Sequence, residues 1–366
     1  MKIGIPREIM TGEARIALTP SACKTLINTG HTLYLEKQAG CGSGYSDRDY
    51  ERVGSHIVDT AERLYEASRL IIKVKQPLAQ DISYLREHHT LFSYLHLAAD
   101  LSLVQHLCDI GVSAIPFESI VDALGTLPLL APMSQVAGRI ATMRGASLLF
   151  KNRGGRGILL GGVDGSDSGQ VVVLGAGVAG SHAVAVAVAL GAKVDVLDLD
   201  ENKLQLLALK YPLIGTHLST PETIERLCID ADLVIGAVLL AGRRAPVVLK
   251  RSVVEQMHEG SVIVDIAIDQ GGCVEGIQAT SSERLSYVEH GVILSAVPNM
   301  PATVARTASQ SLSSAILPYV QALSDSELAV SSQSIALQRA MAIDKGRVVD
   351  KVLLDEMGAK KARTSL

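Results

Sequence analysis

Residues 171–198 read VVVLGAGVAGSHAVAVAVALGAKVDVLD. Val171, Val172, Val173 and Leu174 form an unbroken apolar run, the pattern of a strand buried on both faces. Gly175, Gly177 and Gly180 follow in the spacing G-x-G-x-x-G. The Ala- and Val-rich stretch from Ser181 to Leu190 predicts a helix packed closely on a sheet, and Lys193–Leu197 predicts a second strand that ends at Asp198. In such a βαβ unit the glycines allow a tight turn, close approach of a pyrophosphate and close helix–strand packing, and the helix N-terminus offers free N–H groups to phosphate. A carboxylate about 20 residues on hydrogen-bonds the ribose hydroxyls, and Asp198 is placed for that. G-x-G-x-x-G alone is a weak signal; with strand, helix, strand and acid in register it points to a dinucleotide.

Around this unit the composition sets bounds. The chain has 366 residues, of which 48% are hydrophobic and 20% charged, so two globular domains with sizeable cores are expected. Aromatic residues are only 3% and Trp is absent, so those cores must be aliphatic. A net charge of −4 argues against nucleic acid or an anionic membrane as the main partner. Cys23, Cys41, Cys108, Cys228 and Cys273 form no CxxC and are odd in number, which reads as free thiols in a reducing compartment, the cytoplasm. MKIGIPREI at the N-terminus reads as a first strand and not as a signal peptide, and no apolar run reaches membrane-span length. No His/Cys/Asp cluster has metal-ligand spacing, so no metal is expected.

Before residue 128, short apolar runs alternate with helical patterns. Lys2–Ile5, His31–Glu36, Leu70–Val74, Leu91–Leu95 and Val112–Pro116 read as strands. Pro20–Asn28 reads as a helix with Thr19 as N-cap and Gly30 as its stop, and Asp47–Val53 and Ala61–Glu66 as short helices. After it, a long helix is expected from about Ser134, then a Gly-rich loop over 152–169. Ala231–Gly236, Ser261–Ile266 and Val292–Ala296 read as later strands of the nucleotide domain. A long helix from about Thr303 should be kinked at Pro318, and the tail beyond it is long enough to return to the first domain. The fold class is therefore α/β, with a doubly wound parallel sheet in each domain. The expected division is a discontinuous substrate domain, 1–127 plus 306–366, and a nucleotide domain, 128–305.

A dehydrogenase acting on a small carboxylate needs a cation for the carboxylate, a donor for the carbonyl or amine, and an acid/base. Arg15, in EARIALTP, could hold a carboxylate bidentately, or simply form an interdomain or surface ion pair with Glu13. Lys75 ends the strand IIKVK, where doubly wound sheets bind ligands, or is a solvated strand end. His96 ends the run LFSYLHLA; histidine suits proton transfer near neutral pH, but a lone histidine in an apolar run also suits a core. Asp269 lies just past the strand SVIVDI, with Asp265 inside it; either could serve only to cap a turn.

Ten motifs, in this order, carry a resemblance: IGIPRE at 3–8, ExRxALTP at 13–20, KVKQP at 73–77, YLHLA at 94–98, PLLAPMSxVAGR at 128–139, GGRGILLGGV at 154–163, VVVLGAGVAG at 171–180, ADLVIGAVL at 231–239, VDIAIDQGGCVE at 264–275 and NMPATV at 299–304. The chain resembles the alanine dehydrogenases, a family shared with the nicotinamide-binding subunit of proton-pumping transhydrogenase, over nearly its full length. The resemblance implies two Rossmann-like domains with a cleft between them, hexameric assembly, and reversible NAD-dependent oxidation of L-alanine to pyruvate and ammonium. By the same resemblance Arg15 and Lys75 bind substrate, and His96 and Asp269 are the acid/base residues. Ser134, the fingerprint residues Gly175, Gly177, Val178, Ala179 and Gly180, then Asp198, Lys203, Ser219, Val238, Leu239, Ile266, Ala267, Ile268, Asp269, Val297, Pro298, Asn299 and Met300 would line the NAD. The chain departs from the pattern at Gln135, Asp164 and Ala305, none of them a proposed catalytic group. Two rival classes are a transhydrogenase subunit, which would dock on a membrane partner, and a non-catalytic NAD-binding module. The chain shows no apolar C-terminal extension for the first, and retention of all four candidate groups argues against the second.

Overall fold

The structure is a computed structural model that describes residues 1–238, 244–281, 283–328 and 334–364. The chain forms two compact units, Met1–Met133 with Ala302–Leu366, and Ser134–Pro301. In chain order the first six strands are β1 (Lys2–Ile5), β2 (Thr32–Glu36), β3 (His56–Val58), β4 (Leu70–Ile72), β5 (Thr90–Ser93) and β6 (Ser113–Pro116). The next seven are β7 (Gln170–Leu174), β8 (Lys193–Asp198), β9 (Gly215–Leu218), β10 (Leu233–Gly236), β11 (Val262–Asp265), β12 (Tyr287–Glu289) and β13 (Val292–Ser295), followed by β14 (Ile343–Asp344) and β15 (Arg347–Val348).

In the first unit the described strands make one sheet in the order β15-β14-β6-β5-β4-β1-β2-β3. The strands from β6 to β3 pair in parallel. The short runs are hydrophobic throughout because each face is covered, which is what a parallel sheet requires. Leu70 and Ile72 pack with Cys23, Leu26, Leu312 and Ile316 on one face, while Ile71 packs with Leu91, Leu103 and Leu107 on the other. The tail supplies β14, antiparallel to β6 with Ile343 opposite Ala114, and β15, antiparallel to β14.

The second unit has the order β12-β13-β11-β10-β7-β8-β9, parallel from β13 to β9. Val171 and Val173 of β7 pack on Ala183 and Val184, and Val172 and Leu174 pack on Ile224 and Leu227. β12 is antiparallel to β13. Both sheets are thus parallel-dominated but mixed at an edge. Short strands at or next to an edge, such as β12, β14 and β15, have too few apolar residues to announce themselves in the sequence.

Three local expectations need adjusting. The fingerprint helix is Val178–Ala189, beginning three residues before Ser181, because the turn at Gly177 leads directly into it. Thr19 occupies the N-cap position of Pro20–Asn28 but makes no cap hydrogen bond; its hydroxyl pairs with Ser313 Oγ at 3.2 Å. The helix expected from about Thr303 begins at Ala305 and continues to Asp325, with Pro318 inside it. Among the described residues no helix is long and apolar enough to cross a membrane.

Candidate functional site

The three fingerprint glycines are needed for different reasons. Gly175 has φ +105, and a Cβ there would lie 2.7 Å from Ala237 O. A Cβ on Gly180 would lie 1.7 Å from Gly175 O, so this glycine sets how closely the helix approaches β7. At Gly177 a Cβ would meet nothing within 4 Å. No packing need explains that glycine, and the missing side chain leaves the backbone open to close approach by a ligand's phosphates. Val178 and Ala179 open the helix, so their N–H groups belong to its unsatisfied first turn.

Asp198 ends β8 with its carboxylate tied to the fingerprint loop. Oδ2 accepts from Ala176 N at 2.6 Å and Oδ1 from Asp200 N at 2.9 Å. Each oxygen keeps a second lone pair, which is what a ribose diol requires. Lys203 Nζ lies 4.0 Å from Asp198 Oδ1 and 3.8 Å from Asp200 Oδ2. Ser219 N bonds Asp198 O at 2.9 Å, and Val238 follows β10 beside Gly175. Ser134 lies in the first turn of the helix Ala131–Leu148. The expected contact at Leu239 lies outside the described residues. These residues fit a dinucleotide.

Asp265 and Asp269 divide the work between them. Asp265 is fully buried at the end of β11 and accepts from Ala267 N at 2.7 Å, Cys273 N at 2.8 Å and Val274 N at 3.3 Å. Burial raises its pKa despite those three donors. It is the turn cap left open by the sequence, and it shapes the short 3-10 turn Ile266–Gln270. Asp269 is exposed on that turn, and both of its oxygens accept from Asn299 N at 3.2 Å. Asn299 itself has φ +55, in the segment Val297–Met300 that follows β13. The 266–269 and 297–300 segments are thereby joined at the carboxyl ends of two adjacent strands.

In the first unit, Arg15, Lys75 and His96 follow β1, β4 and β5, three neighbours in the sheet. Arg15 is 3% exposed. Its Nε and Nη2 donate to Glu13 at 2.7 and 2.6 Å, and Nη1 lies 3.0 Å from Met133 Sδ. The pair with Glu13 exists, but it is buried and not on the surface: the Glu13 side chain is 0% exposed. Bidentate pairing fixes the plane of the guanidinium. Lys75 is half-buried, and its N–H donates to Glu8 Oε1 at 3.3 Å alongside Val74 N at 2.6 Å. Glu8 also faces the buried Lys73, 3.5 Å away, and burial raises the Glu8 pKa against that attraction.

His96 is not a core residue. Its side chain is 48% exposed, and its backbone is left-handed at φ +49. Glu118 holds this turn: Oε1 accepts from His96 N at 2.5 Å and from Leu95 N at 3.2 Å, and lies 3.9 Å from His96 Nδ1. The imidazole is nearly parallel to the Tyr94 ring, 6.3 Å between centroids. Tyr94 donates to Leu129 O at 2.5 Å, and burial raises its pKa while the Arg15 charge opposes that rise. Tyr94 therefore connects the Arg15 and His96 environments. The sequence did not single out Glu8, Tyr94 or Glu118; Glu8 and Tyr94 lie inside the quoted motifs IGIPRE and YLHLA, whereas Glu118 lies in none of them and carried no signal. Among the described residues no cluster of His, Cys, Asp or Glu could hold a metal ion.

Family models described as the N-terminal and C-terminal domains of alanine dehydrogenase/PNT match residues 4–137 and 141–351. The alanine dehydrogenase of Halomonas elongata is 45% identical over 89% of this chain and 88% of its own length. That of Mycobacterium tuberculosis is 40% identical over 98% of this chain and 97% of its own. A solved L-alanine dehydrogenase superposes with a TM-score of 0.95 at 41% identity, covering 98% of this chain and 99% of that one.

Proposed function

We propose, from the premise that this chain belongs to the alanine dehydrogenase/PNT family, that it catalyses the reversible oxidative deamination of L-alanine to pyruvate and ammonium with NAD. The observation that carries this is that Arg15, Lys75 and His96 follow β1, β4 and β5, three neighbouring strands of one parallel sheet, at the carboxyl ends of which α/β sheets place their ligands. The first unit is assigned to substrate. The second is assigned to nucleotide, held by Ser134, the fingerprint loop, Asp198, Lys203, Ser219, Val238 and the 266–269 and 297–300 segments.

NAD, when bound, accepts the hydride from the substrate α-carbon. Arg15, its plane set by Glu13, binds the carboxylate. Lys75 donates to the substrate oxygen and offsets the negative charge that develops there. Loss of hydride leaves an iminium on the substrate. His96 takes a proton from the water that adds to it, giving a carbinolamine. Return of a proton to nitrogen lets ammonia leave as the hydroxyl collapses to the carbonyl. Asp269 is the second proton-transfer group. Asp198, as acceptor for both ribose hydroxyls, favours NAD over NADP, whose 2′-phosphate it would repel. We place the enzyme in the cytoplasm, where its five cysteines remain thiols, as a homo-oligomer of hexameric size by family resemblance.

The test is absorbance of NADH with purified protein. L-alanine with NAD at alkaline pH should generate NADH, and pyruvate with ammonium should consume it. Folded protein that binds NADH yet shows neither signal overturns the reading.

A further inference from the structure

Two hydroxyls staple the peptide groups on either side of Arg15. Ile16 N donates to Ser309 Oγ at 2.9 Å. Ser43 Oγ donates to Ala14 O at 2.8 Å. The two hydroxyl oxygens are themselves 2.8 Å apart. A hydroxyl has one proton to give. Ser43 spends its proton on Ala14 O, so the Ser309 proton goes to Ser43 Oγ, and the relay runs Ile16 N–H, Ser309, Ser43, Ala14 C=O. Both serines are buried, at 0% and 1% exposure, so no water replaces either of them. Ser313, one helical turn beyond Ser309, accepts from Thr19 N at 3.0 Å and pins the far end of the loop. Gly42 lets Ser43 come this close, since a Cβ there would lie 2.7 Å from Ala14 O.

We propose that Ser43 and Ser309 are positioning residues that aim the Arg15 guanidinium at the substrate carboxylate. The proposal rests on the reading of Arg15 as the carboxylate-binding residue. With the flanking amide and carbonyl both fixed, the Arg15 Cα–Cβ direction is fixed; Glu13 then sets the plane of the fork. Neither serine touches substrate, so their effect should pass through Arg15 alone. Arg15 holds the carboxylate in ground and transition states alike, so a mis-aimed fork raises KM and spares kcat.

The experiment compares Ser43→Ala, Ser309→Ala and Arg15→Lys in the full chain, measuring KM for pyruvate, kcat, NADH affinity and melting temperature. Each serine variant should raise the pyruvate KM about tenfold while kcat stays within about threefold and NADH affinity is unchanged. Adding Ser309→Ala to Arg15→Lys should raise KM by less than Ser309→Ala does in the native chain, because the rigid bidentate fork that the staple aims is gone. Should Ser309→Ala fail to fold, Ser43→Ala, at the end of a short 3-10 turn, carries the test. If Arg15→Lys raises KM and the serine variants lower only the melting temperature, the staple is structural and the proposal fails. If Arg15→Lys leaves KM unchanged, the reading of Arg15 fails and takes the proposal with it.

Discussion

His96 holds a backbone conformation that side chains seldom adopt, φ +49, and the cost is offset by Glu118, which binds the amides of residues 95 and 96. The result is a half-exposed imidazole at the end of a central parallel strand. If it moves protons in turnover, His96→Ala should lower kcat by about 100-fold or more. Because the side chain is half-exposed and lies outside the core, the melting temperature should stay within a degree or two of the native value, about what a small surface change produces. NADH affinity should be unchanged, since the fingerprint lies in the other unit. Steady-state rates, NADH titration and thermal melting on one preparation decide it. Native turnover with a lowered melting temperature would return His96 to a structural role. That His96 stands at a strand end was legible from the run LFSYLHLA; that it is exposed was not, because Glu118, 22 residues away, is what turns the chain outward.

The fingerprint element was the most legible part of the chain, because its signals are local: an apolar run, glycines at fixed spacing, an Ala-rich helix and an acid at the next strand end. The clamp on Arg15 was illegible for the opposite reason, its partners Ile16 and Ser309 being 293 residues apart. Within the fingerprint the glycines make separable predictions. Gly180→Ala puts a Cβ against the backbone oxygen of Gly175, which cannot rotate away, so the helix must shift. The second unit should lose about 1–3 kcal/mol, the usual cost of overpacking, and NADH binding should fall with it. Gly177→Ala meets no atom within 4 Å and should keep the native melting temperature while weakening NADH binding. Thermal melting and fluorescence titration with NADH distinguish the two. Equal loss of stability in both variants would mean that Gly177 serves packing and not phosphate approach.

Taken whole, the first unit depends on a chain segment that leaves it and comes back: Leu337 and Met341 join the core beneath the β1–β4 strands, and Ile343 pairs with β6. Its stability also has a titratable weak point. His89 is 1% exposed, its Nδ1 accepts from Arg86 N at 2.9 Å, and its Nε2 lies 2.9 Å from Tyr65 O, which fixes the neutral tautomer. Burial lowers its pKa from 6.5 to about 4. The sign follows from linkage: as pH falls below 6.5 the unfolded chain takes up the proton first, so stability drops, and the loss levels off below about 4. At about 1.4 kcal/mol for each pH unit of difference, the full loss is about 3 kcal/mol. Glu8 and Asp265 act in the opposite sense, because burial raises their pKa values and the folded state takes their protons first as pH falls. The native curve alone therefore mixes the contributions. Urea unfolding of the native chain and of His89→Asn at a series of pH values separates them, since only the histidine differs. The native chain's advantage over the variant should shrink by about 3 kcal/mol between pH 7 and pH 4. A constant difference across that range would show that His89 titrates in the fold as it does in the unfolded chain.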